Sequence, residues 1–231
     1  PGAACLLALA FAVGVLAPAI SLAQEGKQPQ EPGSFQWSNY YDRTGDRTPR
    51  EVLLEALQAF EDEGRKVKSA VDAGCGSGVE TRFLSHLGID VIAFDSEPEG
   101  IAYLRASLDE EQTQRVRLQV APFHEADWGR DVDLVFAGFA LPFATPEEFP
   151  EAWRRLTESL SPGGRFAGQL FGDRDDWAGR DDRTHHRKDQ ARALLAQDFD
   201  IEVFREVEFD GKRPNGHGKH WHYYEIIARK R

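Results

Sequence analysis

The sequence contains no methionine and only two cysteines among 231 residues. Cys5 lies in an apolar leader and Cys75 in a glycine-rich turn, so a domain freed of that leader has no pair with which to form a disulfide framework. No cluster of cysteines suggests a structural zinc, and no metal is expected. A basic block is also missing. With 28 Lys and Arg against 39 Asp and Glu, the formal net charge is −11, which counts against nucleic acid as a macromolecular substrate. The apolar run over residues 1–20 is short for a spanning helix and is broken by Pro18, so no stable membrane span is expected.

Hydrophobic residues make up 41% of the chain, enough for a real core in one α/β domain. Residues 1–23 read as a signal-peptide-like leader. Ser21 and Ala23 stand at the small-residue positions of a cleavage site before Gln24. An exported location is expected on that reading, and a cytoplasmic one if the leader is a mispredicted start. An uncleaved anchor or an apolar tail is the plainer alternative. Residues 24–34, rich in Gln, Glu, Pro and Gly, form a linker. One domain follows, over residues 35–231.

Hydrophobic periodicity divides that domain into alternating elements. A helix begins at Thr48-Pro49, with Val52, Leu53, Leu57 and Phe60 on an apolar face. Strands are expected over 67–73, 89–94, 116–120, 132–137 and 165–171, with helices over 80–87, 100–108 and 146–160 between them. The charged stretch 173–189 reads as a solvated loop or lid, and a short helix follows over 190–197. Strands over 201–209 and 221–228, joined by a hairpin-length turn, are expected to be antiparallel. The fold class is therefore α/β, with a doubly wound, mostly parallel seven-stranded sheet and a C-terminal antiparallel hairpin. A ligand belongs at the carboxyl ends of the strands, where strand order reverses.

The chemistry concentrates in Val71-Asp72-Ala73-Gly74-Cys75-Gly76-Ser77-Gly78. Glycines after a strand permit a tight turn and let a ligand approach the backbone. The following helix presents free N–H groups. Asp95 ends the next strand, where a carboxylate can accept hydrogen bonds from ribose hydroxyls. The spacing is G-x-G-x-G with Asp72 ahead of it, whereas a dinucleotide fingerprint is G-x-G-x-x-G.

At these residues the sequence resembles the class I, Rossmann-like methyltransferases that use S-adenosylmethionine. The segment from Phe35 to Tyr41 with Thr48-Pro49-Arg50, and Phe139-Ala140-Leu141-Pro142-Phe143, resemble the tellurite-resistance TehB-like bacterial branch. The Pro162-Gly163-Gly164-Arg165 turn matches the family's approach to its fifth strand. The resemblance implies S-adenosylmethionine as cofactor. Gly74, Cys75 and Gly76 would lie under its methionine part, Asp72 would orient that loop and the amino group, and Asp95 would hold the ribose. Phe123 and His124, with Glu125, would flank the adenine. Gly138 and Phe139 would line the methyl-donor end. Methyl transfer is an in-line displacement that needs positioning more than a dedicated acid or base, and no catalytic residue is singled out.

Tyr40 and Tyr41, with Trp37, are candidates to cover the acceptor, though a packing segment explains them as well. His220 and His222 would share one strand face near His217, and His185 and His186 sit in the charged stretch. Surface histidines and a solvated pair are the expectation for these. The expected partner is a small-molecule methyl acceptor. A Rossmann-type oxidoreductase and an exported, non-catalytic binding module are the alternatives.

Overall fold

In the computed structural model, the described residues are 47–213 and 216–231. The leader, the linker, Trp37, Tyr40 and Tyr41 lie outside the described residues. Those described belong to one compact unit, Gln36–Arg231.

The chain alternates strand and helix as its periodicity requires. Helix α1 (Glu51–Asp62) is followed by β1 (Ser69–Ala73), α2 (Val79–His86), β2 (Asp90–Asp95) and α3 (Pro98–Ser107). Next come α4 (Glu110–Arg115), β3 (Val116–Val120), β4 (Val132–Ala137) and a single 3₁₀ turn (Leu141–Phe143). The remainder is α5 (Phe149–Ser159), β5 (Leu160–Gly172), β6 (His185–His186), α6 (Lys188–Leu195), β7 (Phe199–Lys212) and β8 (Gly218–Lys230).

The strands form one sheet in the order β3-β2-β1-β4-β5-β8-β7, with β6 added alongside β5. The pairs from β3 through β5 are parallel, and β8 runs antiparallel to both β5 and β7. The two-residue β6 makes eight strands among the described residues, where seven were expected. Strand order reverses between β1 and β4, so their carboxyl ends flank the crevice where this class of sheet takes its ligands.

Helices cover both faces. On one, Val52, Leu53 and Phe60 of α1 pack with Leu84 of α2, Leu104 of α3 and Phe136 of β4. On the other, Phe149, Trp153 and Leu156 of α5 pack with Leu195 of α6, Phe166 and Phe199. Burial on both faces explains why β4 reads as an unbroken apolar run from Leu134 to Ala137 instead of an alternating one. Among the described residues no helix is long and apolar enough to cross a membrane.

Three expectations change. Helix α4 was not anticipated, although Asp109 and Gln112 form a reciprocal capping box at its start. The turn expected at 161–164 lies inside β5, which already pairs with β4 at Leu160 and resumes after an irregularity. The stretch 173–189 is also no simple solvated loop. Asp175, Trp177, Arg183 and Thr184 are buried, His185 and His186 form β6, and Thr184 donates to the carbonyls of Pro142 and Ala144 at 2.8 Å each. Here charge was a poor guide to exposure, because the buried charges are paired.

Candidate active site

Two loops meet in the crevice. After β1 the chain turns through Gly74, Gly76 and Gly78, all with positive φ (71°, 54° and 76°). L-residues avoid this region, which is why glycine recurs at every second position. The backbone N–H groups of Gly74 and Cys75 both donate to the carbonyl of Phe94, at 2.8 and 3.0 Å. A side chain on Gly74 would run into Cβ of Ala140, in the loop after β4. Cys75 is buried, and burial pushes its thiol well above the ordinary range, so it acts as a small apolar residue.

Asp95, at the end of β2, accepts from the backbone N–H of Gly76 at 2.8 Å and of Glu97 at 2.9 Å. With several lone-pair directions on its two oxygens, the carboxylate can still accept from a ligand hydroxyl. Burial raises the Asp95 carboxyl, and the backbone hydrogen bonds pull it back.

Asp72 is buried on β1 and accepts from the Thr81 hydroxyl at 2.6 Å. Burial, and then the nearby negative charge of Glu80, push its carboxyl up to about 7. Glu80 is itself buried and accepts from the Arg47 guanidinium at 2.6 Å and from the backbone N–H of Arg50 at 3.2 Å. Glu80 is thus already paired, while Asp72 stands beside the loop as a buried acid that a cationic group arriving there would relieve. Glu80, Thr81, Arg47 and Arg50 were not singled out from the sequence. The signal was only that an acid and a hydroxyl open the helix after the motif.

The adenine-side candidates divide. The Phe123 ring comes near the glycine loop, 3.9 Å from where a Cβ on Gly74 would stand, and meets Phe94 edge-on at 6.0 Å. Trp128 donates to the Phe123 carbonyl at 2.9 Å. His124 is exposed, with its ring 3.6 Å from Glu125 and 3.9 Å from Glu148. Among the described residues it makes no hydrogen bond or ion pair with the loop.

At the donor end, Gly138 and Phe139 follow β4. A Cβ on Gly138 would press on the Phe136 ring and on Arg50. Phe139 has φ of 55°, an uncommon conformation for a bulky residue. Its N–H donates to Oε1 of the buried Gln169 at 3.0 Å, and the Arg50 guanidinium lies 4.7 Å over its ring. Tyr223 of β8 meets that ring edge-on at 4.8 Å, and Trp221 does so at 6.5 Å.

The histidines are more buried than expected. His222 is fully buried. Its Nδ1 accepts from the N–H of Arg174 at 3.0 Å, which leaves Nε2 to donate to Glu206 at 3.1 Å. His185 and His186 are half-buried, and burial lowers His186 to about 4. His220 bridges Asp210 and Glu208 at 2.8 and 3.1 Å. Among the described residues no group of His, Cys, Asp and Glu is arranged to hold a metal.

These residues fit S-adenosylmethionine. An open glycine turn would take its methionine part, a carboxylate with free lone pairs its ribose, and a buried acid its ammonium. Residues 70–164 match a methyltransferase domain family. The structure is similar to TehB from Haemophilus influenzae, with a TM-score of 0.66 at 17% identity over 85% of this chain and 68% of that one, a likeness of fold. It is also similar to the Burkholderia thailandensis 1,6-didemethyltoxoflavin-N1-methyltransferase solved with S-adenosylhomocysteine. There the TM-score is 0.59 at 26% identity, covering 84% of each chain. In sequence, 125 residues are 27% identical to a protein called Hemagglutinin 1 from Eikenella corrodens; the match spans 54% of this chain and 40% of that protein. Residues 70–164 thus match a methyltransferase domain, and the motif and sheet order around them support a class I, S-adenosylmethionine-dependent methyltransferase.

Proposed function

We propose that this methyltransferase acts on a small molecule. The observation that carries the reading is the place of Phe139. It lies in the loop that flanks the glycine turn, and it meets Tyr223 and Trp221 of the hairpin, so the donor end opens on an aromatic surface. An aromatic surface suits a compact organic acceptor, and a net charge of −11 disfavours a polyanion. The similar toxoflavin-precursor enzyme acts on a small molecule by its name, which supports the same reading.

The residues divide the work. Asp95 and the Gly74–Gly76 backbone hold and orient the cofactor. Asp72 supplies negative charge for its ammonium. The cofactor, when bound, supplies an electrophilic methyl group. Phe139, Tyr223 and Trp221 exclude water from the transfer line and present ring faces to positive charge. Calorimetric titration with S-adenosylhomocysteine and with NAD, followed by assay of S-adenosylhomocysteine release against small-molecule acceptors, tests the reading. Binding of NAD alone, or transfer only to a nucleic acid or protein, would overturn it.

A further inference from the structure

The hairpin β7–β8 sorts its side chains onto two faces. On one, Phe209 pairs in register with Trp221, and Val207 and Phe171 both pair with Tyr223. That is the face Phe139 reaches. The rings are set nearly perpendicular. Phe139 stands at 74° to Tyr223 and 73° to Trp221, and Phe209 at 81° to Tyr223 with centroids 6.5 Å apart. An edge-on contact covers a face of only one ring of each pair, and Arg50 and Lys219 take one face each of Phe139 and Trp221, which leaves the remaining faces uncovered. Phe209 is 47% exposed, while Trp221, Tyr223 and Phe139 are half-buried. A Cβ on Gly211 would come within 2.8 Å of the Phe209 ring and 3.2 Å of Trp221, so this glycine lets the two rings lie close.

Three polar groups border this face, and the first, the Arg50 guanidinium, lies over the Phe139 ring. Lys219 is committed: its ammonium pairs with the buried Asp175 and lies over the rings of Trp221 at 3.7 Å and Trp177 at 4.2 Å. Tyr223 is different. Its hydroxyl has no hydrogen-bond partner among the described residues, although the side chain is half-buried. A phenol so placed both donates and accepts, and it gains most from a ligand that does the same.

We propose that Tyr223, framed by Phe139, Trp221 and Phe209, binds a flat aromatic methyl acceptor through a ring O–H or ring N–H. The proposal rests on the small-molecule reading above. The acceptor's ring stacks on the uncovered faces, and its O–H or N–H meets the Tyr223 hydroxyl. In the transfer, a lone pair on that oxygen or nitrogen forms the bond to the methyl carbon. The carbon–sulfur bond breaks with its electron pair staying on sulfur, and the acceptor's proton passes to water.

The test uses protein loaded with S-adenosylhomocysteine and titrated calorimetrically with catechol, caffeic acid and xanthine, against cysteamine and sodium tellurite. At least one flat probe binds, and the matching assay with S-adenosylmethionine shows turnover. Tyr223→Phe, a conservative change that leaves S-adenosylhomocysteine affinity alone, weakens the flat probe about three- to tenfold, as for one lost hydrogen bond. Trp221→Leu weakens it further. Two results overturn the proposal while cofactor binding stays intact. One is binding or turnover of tellurite or cysteamine and of no flat probe. The other is a flat probe whose affinity Tyr223→Phe leaves unchanged. Loss of S-adenosylhomocysteine binding in the parent protein would instead bring down the underlying reading.

Discussion

The carboxylate of Asp95 accepts the backbone N–H of Gly76 at 2.8 Å. The acid assigned to the ribose and the turn assigned to the methionine are therefore one hydrogen-bonded unit. The second oxygen of Asp95 does the same for Glu97, which precedes α3. A change at any of these positions is felt by the others.

Asp95→Ala removes the ribose acceptor and leaves two backbone donors without their partner. Hydrogen bonds to charged groups contribute roughly 1.5–3 kcal/mol, so S-adenosylhomocysteine affinity falls about ten- to a hundredfold, with Asp95→Asn in between. Isothermal titration reads the change. Unaltered affinity in Asp95→Ala would remove this residue from the site.

Gly76→Val places a β-branched side chain at φ of 54°. The left-handed conformation costs L-residues roughly 1–2 kcal/mol, and the branch adds volume where the proposed cofactor site lies. The variant keeps its sheet and helices by circular dichroism, melts at a lower temperature and no longer binds S-adenosylhomocysteine. A folded variant that binds like the parent would refute the assigned loop.

Asp72 carries a pH signature. Its carboxyl rises from an ordinary 3.8 to about 7 on folding, chiefly through burial and then through the charge of Glu80. The folded state thus holds a proton that the unfolded chain gives up. This contribution to stability is complete below the unfolded value and is lost as pH climbs toward 7. Asp72→Asn escapes that loss. The melting temperature of the ligand-free variant minus that of the parent should grow between about pH 4 and 7 and then level off. Ligand binding near pH 6 should also release a proton from the parent, seen as a buffer-dependent heat in calorimetry. A flat difference with no proton release would contradict the raised value.

The ion pair between Lys219 and Asp175 is buried on both sides. Lys219→Met strands a buried carboxylate, and breaking such pairs costs about 3–5 kcal/mol. Adding Asp175→Leu removes the stranded charge and should recover much of that loss. Urea unfolding of the single and double variants decides it. A double variant no more stable than the single one would show that the pair is not what holds the segment around Asp175.

Much of the fold was legible because periodicity reports burial directly. Strands β3 and β4 fall where their apolar residues place them. The glycine spacing and Asp95 located the crevice, since only a strand–turn–helix unit uses glycine that way. The acceptor side was harder to read. Tyr223 and Trp221 are distant from Phe139 in sequence and meet it only because β8 lies beside β5. Glu80 and Arg47 look like ordinary surface charges until the fold closes over them. Residues 173–189 misled for the same reason. Their charges find partners in β7 and β8, such as Glu206, Glu208 and Lys219, and no local pattern records a partner that far along the chain.

Strand β8 follows β7 in the chain yet lies between β7 and β5. A ribosome making this protein releases β5, and then β7, before either has its neighbour. Until the residues through Lys230 emerge, both strands carry unsatisfied edges, and such edges attract other chains. The same late insertion brings in Lys219, Trp221 and Tyr223. A nascent chain therefore completes its cofactor turn early and its acceptor surface last. Slowed synthesis near the hairpin should lower the yield of soluble protein more than a similar delay before β4.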